Sequence, residues 1–173
     1  MFLAKNVWLG RKLRVPIRGG NREARISIAF LGSFIVLSLV LAAFRDPPGS
    51  IGLFGESTVA IVAILLLVSS TCVGLASLLG LGDSWRVGVP GEQKTELVEG
   101  GIYRFTRNPY FVAYLIMFAA YTILLQSLVL LLLSFVGFAL IHAMVLKEER
   151  HLAALHGERY RDYQRRVPRY LIG

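Results

Sequence analysis

A chain of 173 residues has room for one domain, and 55% of these residues are hydrophobic, with a mean hydropathy of +0.59 that lies well above a soluble domain. The formal charge is +8, from 19 lysines and arginines against 11 acidic residues, yet no nucleic-acid motif accompanies it. A single cysteine excludes disulfide frameworks and cysteine-rich zinc sites.

The apolar residues fall in nearly charge-free blocks, so the expected fold class is all-α: a polytopic membrane protein with about four transmembrane helices. Residues 1–25 carry Lys5, Arg11, Lys12, Arg14, Arg18, Arg22 and Arg25, and the stretch WLGRKLRVPIRGG is expected to lie as a basic amphipathic segment on the cytoplasmic face. The first span is expected at 26–44. It is too long for the apolar region of a signal peptide, so it is expected to remain in the mature protein. RDPPGSIGLFGES turns outside, with Arg45 as its basic residue, and 57–81 forms the second span. Cys72 within it reads as a small packing residue. Gly74, Ala76, Ser77 and Gly80 could let helices approach closely, within one chain or between copies, and the oligomeric state stays open.

Residues 82–108 form a polar stretch punctuated by glycines and Pro90. Its apolar residues Trp85, Val87, Val89, Leu97, Val98, Ile102 and Tyr103 mark a structured, functional loop rather than a linker. GLGD at residues 80–83, a G-x-G at a helix end, reads as a turn, since no G-x-G-x-x-G follows a strand. The third span, 109–125, is short. Gln126 and Ser127 alone separate it from the fourth, 128–147, so these two form a tight antiparallel hairpin. Residues 148–173 continue as a cytoplasmic helix and tail with a break near Gly157. Basic residues crowd the two ends and the middle loop, which places both termini and that loop in the cytoplasm, with the plasma membrane of a prokaryote as the expected location. The same charge attracts anionic membrane lipids.

Ionisable groups at the ends of spans are the natural site candidates. His142 lies inside the fourth block, and Glu149 follows seven residues later on the same helix face. Glu148 and Glu149 oppose the helix macrodipole, which calls for Lys147, Arg150 or a bound cationic or polyhydroxylated ligand. Arg104 and Arg107 precede Pro109 at a helix start, where free amides and a guanidinium fork can hold an anionic group. Each has a plainer reading: an interhelical hydrogen bond for His142, a solvated helix end for the glutamates, interfacial snorkelling for the arginines.

The run SWRVGVPGEQKTELVEGGIYRFTRNPYFVA followed by KEERHLAALHGERYRDYQRRVP resembles the isoprenylcysteine carboxyl methyltransferase and phospholipid methyltransferase superfamily of integral membrane enzymes. The resemblance spans Ser84 to Pro168, and its specific content is the order: G-x-Y, an Arg-x-Pro segment, a helical hairpin, Glu-Glu, then G-x-x-Y-x-x-Y and R-V-P. It implies S-adenosylmethionine as cofactor, held by Arg107, Asn108, Pro109, Glu148 and Glu149, with Tyr103, Tyr160 and Tyr163 as wall residues and Leu97, Val98 and Gly101 near the adenine. His142 is a further candidate at this site. The superfamily's Arg-His-Pro-x-Tyr-x-Gly departs here to Asn108, Phe111 and Ala113. Asparagine keeps hydrogen-bonding capacity but cannot titrate near neutrality.

The acceptor is expected to be a lipophilic small molecule or lipid reaching the site from the bilayer. If it is a carboxylate, Arg166 or Arg169 could orient it; if it is an amine, His142 or a glutamate is the candidate base. Arg107, His142, Glu149 and Arg166 are therefore the candidate catalytic residues. A methyl sulfonium needs its acceptor in line, so positioning supplies much of the acceleration. No metal and no nucleic-acid partner is expected. Two rival readings remain: a non-enzymatic membrane adaptor, and a relative of the longer nicotinamide-dependent sterol reductases.

Overall fold

The computed structural model describes residues 22–44, 49–82 and 96–171. The expected basic segment lies outside them up to residue 21, as do the tip of the first loop at 45–48 and the part of the middle loop that holds Trp85, Arg86, Val87, Val89 and Lys94. The described residues are mostly helical and contain no strands, as expected of an all-α polytopic membrane protein. Three helices are long and apolar enough to cross a bilayer: α1 (Arg22–Ala42), α2 (Glu56–Leu81) and α4 (Leu128–His156). Between the last two lies α3 (Pro109–Leu125), apolar but only 17 residues long. At 1.5 Å per residue it reaches about 25 Å, short of the ~30 Å hydrocarbon core. A short α5 (Glu158–Arg166) completes the set.

The helix ends follow from local chemistry. Pro109 opens α3, where its missing N–H has no partner to lose, and the Asn108 carbonyl accepts from Phe111 and Val112. The helix stops at Gln126, which turns left-handed at φ 42°, and Ser127 Oγ then accepts from the Leu130 amide to start α4. This hairpin tip is tied to the loop between α1 and α2. Gln126 Oε1 accepts from the Phe54 amide at 2.8 Å, its Nε2 donates to the Phe54 carbonyl at 3.0 Å, and the main chain bonds at Ile51 and Leu128. At the other end α4 runs unbroken past residue 147 to His156, and the chain turns at Gly157, φ 56°.

α1, α3 and α4 enclose an aromatic core built on Phe34, Leu41, Phe118, Leu130, Ile141 and Val145, with Phe30 and Tyr121 at its margin. Phe30 and Phe118 meet edge to face at 6.2 Å and 89°. Gly137 makes that geometry possible, since a Cβ there would sit 2.6 Å from the Phe118 ring and 2.8 Å from Phe30. α2 packs on α3 through small and polar groups: Ser70 Oγ donates to the Ala113 carbonyl at 2.8 Å, and Gly74 faces the Ala113 methyl. The small residues of α2 thus serve packing within the chain, whereas Cys72 is exposed rather than packed. Val36, Leu39, Ile61, Leu65, Leu132 and Phe135 point outward, the faces a bilayer would cover.

Gly137→Ala is expected to cost about 1–3 kcal/mol through overpacking. Thermal unfolding in detergent checks this: the variant should melt several degrees lower, and an unchanged melting temperature would mean that the two rings yield freely.

Candidate functional site

Four residues of α4 recur at fourfold spacing on its inner face: Gly137, Ile141, Val145 and Glu149. The first three meet the aromatic core, so the fourth must bring a carboxylate into a buried position, and Glu149 is only 4% exposed. A carboxylate so placed keeps its charge only with close partners. Arg107 supplies Nε at 3.1 Å and Nη2 at 3.0 Å to Oε1, and Asn108 Nδ2 donates to the same oxygen at 3.1 Å. Arg169 supplies Nε at 3.1 Å and Nη2 at 3.0 Å to Oε2. Both oxygens of Glu149 are occupied.

The partners of Glu149 are themselves held. Arg107 Nη1 donates to the carbonyls of Gln164 and Val167, and the Arg107 amide donates to the Pro168 carbonyl at 2.9 Å. Asn108 Nδ2 and Thr106 Oγ1 both donate to the Arg169 carbonyl, at 3.2 and 3.0 Å. The segment before α3 is therefore clasped to the tail after α5, and both are clasped to α4. Hydrogen bonds to Glu149 are the leading reason that Arg169 holds its proton more tightly than a free arginine.

Sequence reasoning placed Arg107 and Glu149 against a ligand; the structure turns them onto each other. Arg166, expected to orient an acceptor carboxylate, pairs with Glu99 Oε2 at 2.9 Å, and Arg159 pairs with Oε1 of the same residue. Asn108, where the superfamily has histidine, donates through its side-chain amide to two acceptors and lies buried beside the fully buried Pro109.

The tyrosines frame the loop from beneath. Tyr103 rests on the end of α2, its hydroxyl 2.8 Å from Ser77 Oγ and its ring against Gly80, while Tyr163 donates its hydroxyl to the Tyr103 carbonyl. Tyr160, Tyr163, Leu97 and Val167 form a second apolar cluster, with Leu152 at its edge. Burial first pushes the phenols of Tyr103, Tyr160 and Tyr163 above the usual tyrosine range, with the charge of Glu148 adding to the rise at Tyr103 and that of Glu149 at Tyr160. All three act as neutral hydroxyls.

Glu148 differs from its neighbour. About 100° further round the helix, its side chain is exposed. In the loop before α3, Val98 is half-buried while Gly100 and Gly101 are exposed, and a Cβ added at either glycine would meet nothing within 4 Å. Glu148, Gly100 and Gly101 are thus the exposed members among the residues expected at the site. His142 stands apart from them, two turns down α4, with Nδ1 3.1 Å from the Tyr170 hydroxyl and its ring stacked on Phe138 at 5.6 Å. Thr106, Glu99 and Tyr170 carried no sequence signal of their own, and Ser77 stood out only as a small packing residue. Among the described residues no group of three or more His, Cys, Asp or Glu side chains could hold a metal ion.

Comparison with known proteins gives two matches. A family model described as phospholipid methyltransferase matches residues 58–159, more than half the chain. The nickel-cobalt-cadmium resistance protein NccN of Alcaligenes xylosoxydans xylosoxydans is 30% identical over 111 residues, which cover 64% of this chain and 51% of that protein. The chain thus spans about half the length of that relative. No solved structure matches.

Replacing Glu149 by alanine strands two arginines, of which Arg107 is 8% exposed. The expected loss is about 3–5 kcal/mol, whereas Glu148→Gln should stay within about 0.5 kcal/mol. Denaturant or thermal unfolding of the two variants in detergent compares them, and equal stabilities would refute the division of roles.

Proposed function

We propose that this chain, which belongs to the phospholipid methyltransferase family, is an integral membrane enzyme that uses S-adenosylmethionine to methylate a lipophilic acceptor at the cytoplasmic face. The observation that carries the reading is the division of labour between adjacent glutamates. Glu149 is buried in ion pairs, so the exposed Glu148 is the carboxylate of the pair that remains for a ligand.

That donor set fits the cofactor. A carboxylate accepts from ribose hydroxyls or from an ammonium group, and its negative charge favours a cationic ligand. Bare glycine backbone admits a flat base at close range. When bound, S-adenosylmethionine supplies an electrophilic methyl group on a sulfonium. Glu148 and the loop edge would bind it, Tyr103 and Tyr160 would form the floor, and Arg107, Asn108 and Glu149 would hold the frame. Pre-set positioning of the two reactants is the main contribution such a frame can make.

The acceptor favoured by the geometry is a lipid amine. Arg166 and Arg169, which a carboxylate acceptor would need, are held by Glu99 and Glu149 at 2.9 and 3.0 Å. An amine acceptor needs no guanidinium to orient it, and the proton it releases as the new N–C bond forms passes to solvent at the cytoplasmic face while Glu148 holds the cofactor. His142, held by Tyr170, lies deeper along α4 as a polar contact for the acceptor.

Calorimetry of the detergent-purified protein with S-adenosylhomocysteine tests the reading. Saturable binding is expected, weakened about tenfold or more in Glu148→Gln by loss of a charged acceptor. No binding by the folded protein would shift the weight to a non-enzymatic membrane adaptor.

A further inference from the structure

We propose that Arg169 is a positioning residue of this site, acting through Glu149 to keep the segment before α3 and the end of α4 in register. The inference rests on the methyltransferase reading and deepens it, because Arg169 lies beyond the residues matched to the family, 58–159.

The two oxygens of Glu149 have separate sets of partners. Oε1 takes three donors, from Arg107 and Asn108, all on the segment that opens α3. Oε2 takes its two side-chain donors from Arg169 alone. The carboxylate therefore joins three parts of the chain that are far apart in sequence: the start of α3, the end of α4 and the tail. Without Arg169, Oε2 is left in a side chain that is 5% exposed. The carboxylate would then rotate or draw in water, and Arg107 would follow it.

The main chain of the same residue makes the arrangement reciprocal. The Arg169 carbonyl accepts from Thr106 Oγ1 at 3.0 Å and from Asn108 Nδ2 at 3.2 Å, and the Arg107 amide donates to the preceding Pro168 carbonyl. Its side chain thus reaches α4 while its backbone grips the segment before α3. Loss of the guanidinium removes only the first of these contacts, so the tail can remain docked while Glu149 loses its alignment. Glu148, one residue away on the same helix turn, moves with Glu149. The side-chain bonds of Arg169 go to Glu149, so its influence on a ligand passes through these two glutamates.

The test uses S-adenosylhomocysteine as the probe on the full chain in detergent, with Arg169→Ala, Arg169→Lys, Glu149→Gln and the double variant Glu149→Gln with Arg169→Gln. Affinity is expected to fall about tenfold or more in Arg169→Ala, with partial rescue by Arg169→Lys, which keeps the charge but not the fork. The double variant should bind no more weakly than Glu149→Gln alone, since the two side chains act as one unit. If Arg169→Ala fails to fold, the lysine variant and the double variant carry the decision. Binding within about twofold of wild type in the arginine variants, or effects that simply add in the double variant, would overturn the proposal. Wild-type protein that does not bind would instead sink the methyltransferase reading itself, and with it the site that Arg169 is said to position.

Discussion

A charged carboxylate at the inner face of an apolar helix is the constraint around which this protein is arranged. The stripe of Gly137, Ile141 and Val145 commits the next position on the same face, Glu149, to the interior. An ion there is stable only if its lone pairs are met, and the chain meets them with two arginines and an asparagine drawn from either side of the α3–α4 hairpin. The short α3, the turn at Gly157 and the return of the tail beside α4 all serve to deliver those donors. At the opposite end Gln126 does similar work with neutral groups, tying the hairpin tip to the first loop.

The helix geometry that buries one glutamate exposes the other. Consecutive residues on a helix cannot share a face, so a Glu-Glu pair is divided into a structural and an accessible carboxylate. Buried tyrosines with neutral hydroxyls support the loop below that accessible group, and Ser77 and Gly80 fit Tyr103 to the end of α2. The clasp that closes the bundle at one end thus also sets which of the two glutamates is exposed.

Much of the fold was legible in the sequence because hydrophobic length is a strong signal. The stretches 57–81 and 109–125 lie in the helices α2 (Glu56–Leu81) and α3 (Pro109–Leu125), the second of which opens on the proline. The first helix ends at Ala42, and residues 43 and 44 bond back into its last turn, a difference that apolar composition cannot resolve. Charge pairing was the illegible part. Arg107 and Glu149 are 42 residues apart and Glu149 and Arg169 are 20 apart, and residue type alone cannot say whether a guanidinium meets a ligand or a neighbour. One signal was present: continuing the four-residue stripe of α4 from Gly137 separates Glu149 from Glu148. Pro168 and the carbonyl of Arg169 act through backbone geometry, and Thr106 through a hydroxyl whose partner is 63 residues away, none of which composition reveals.

The central claim is methyl transfer to a membrane-borne amine, and one measurement addresses it directly. Membranes containing the protein and supplied with a phosphoethanolamine lipid are incubated with S-adenosylmethionine labelled in its methyl group, and label is followed into the extracted lipid. The account predicts label on the lipid nitrogen that depends on the protein and falls sharply with Glu148→Gln. Folded wild-type protein that leaves the lipid fraction unlabelled, or label unaffected by that substitution, would contradict it.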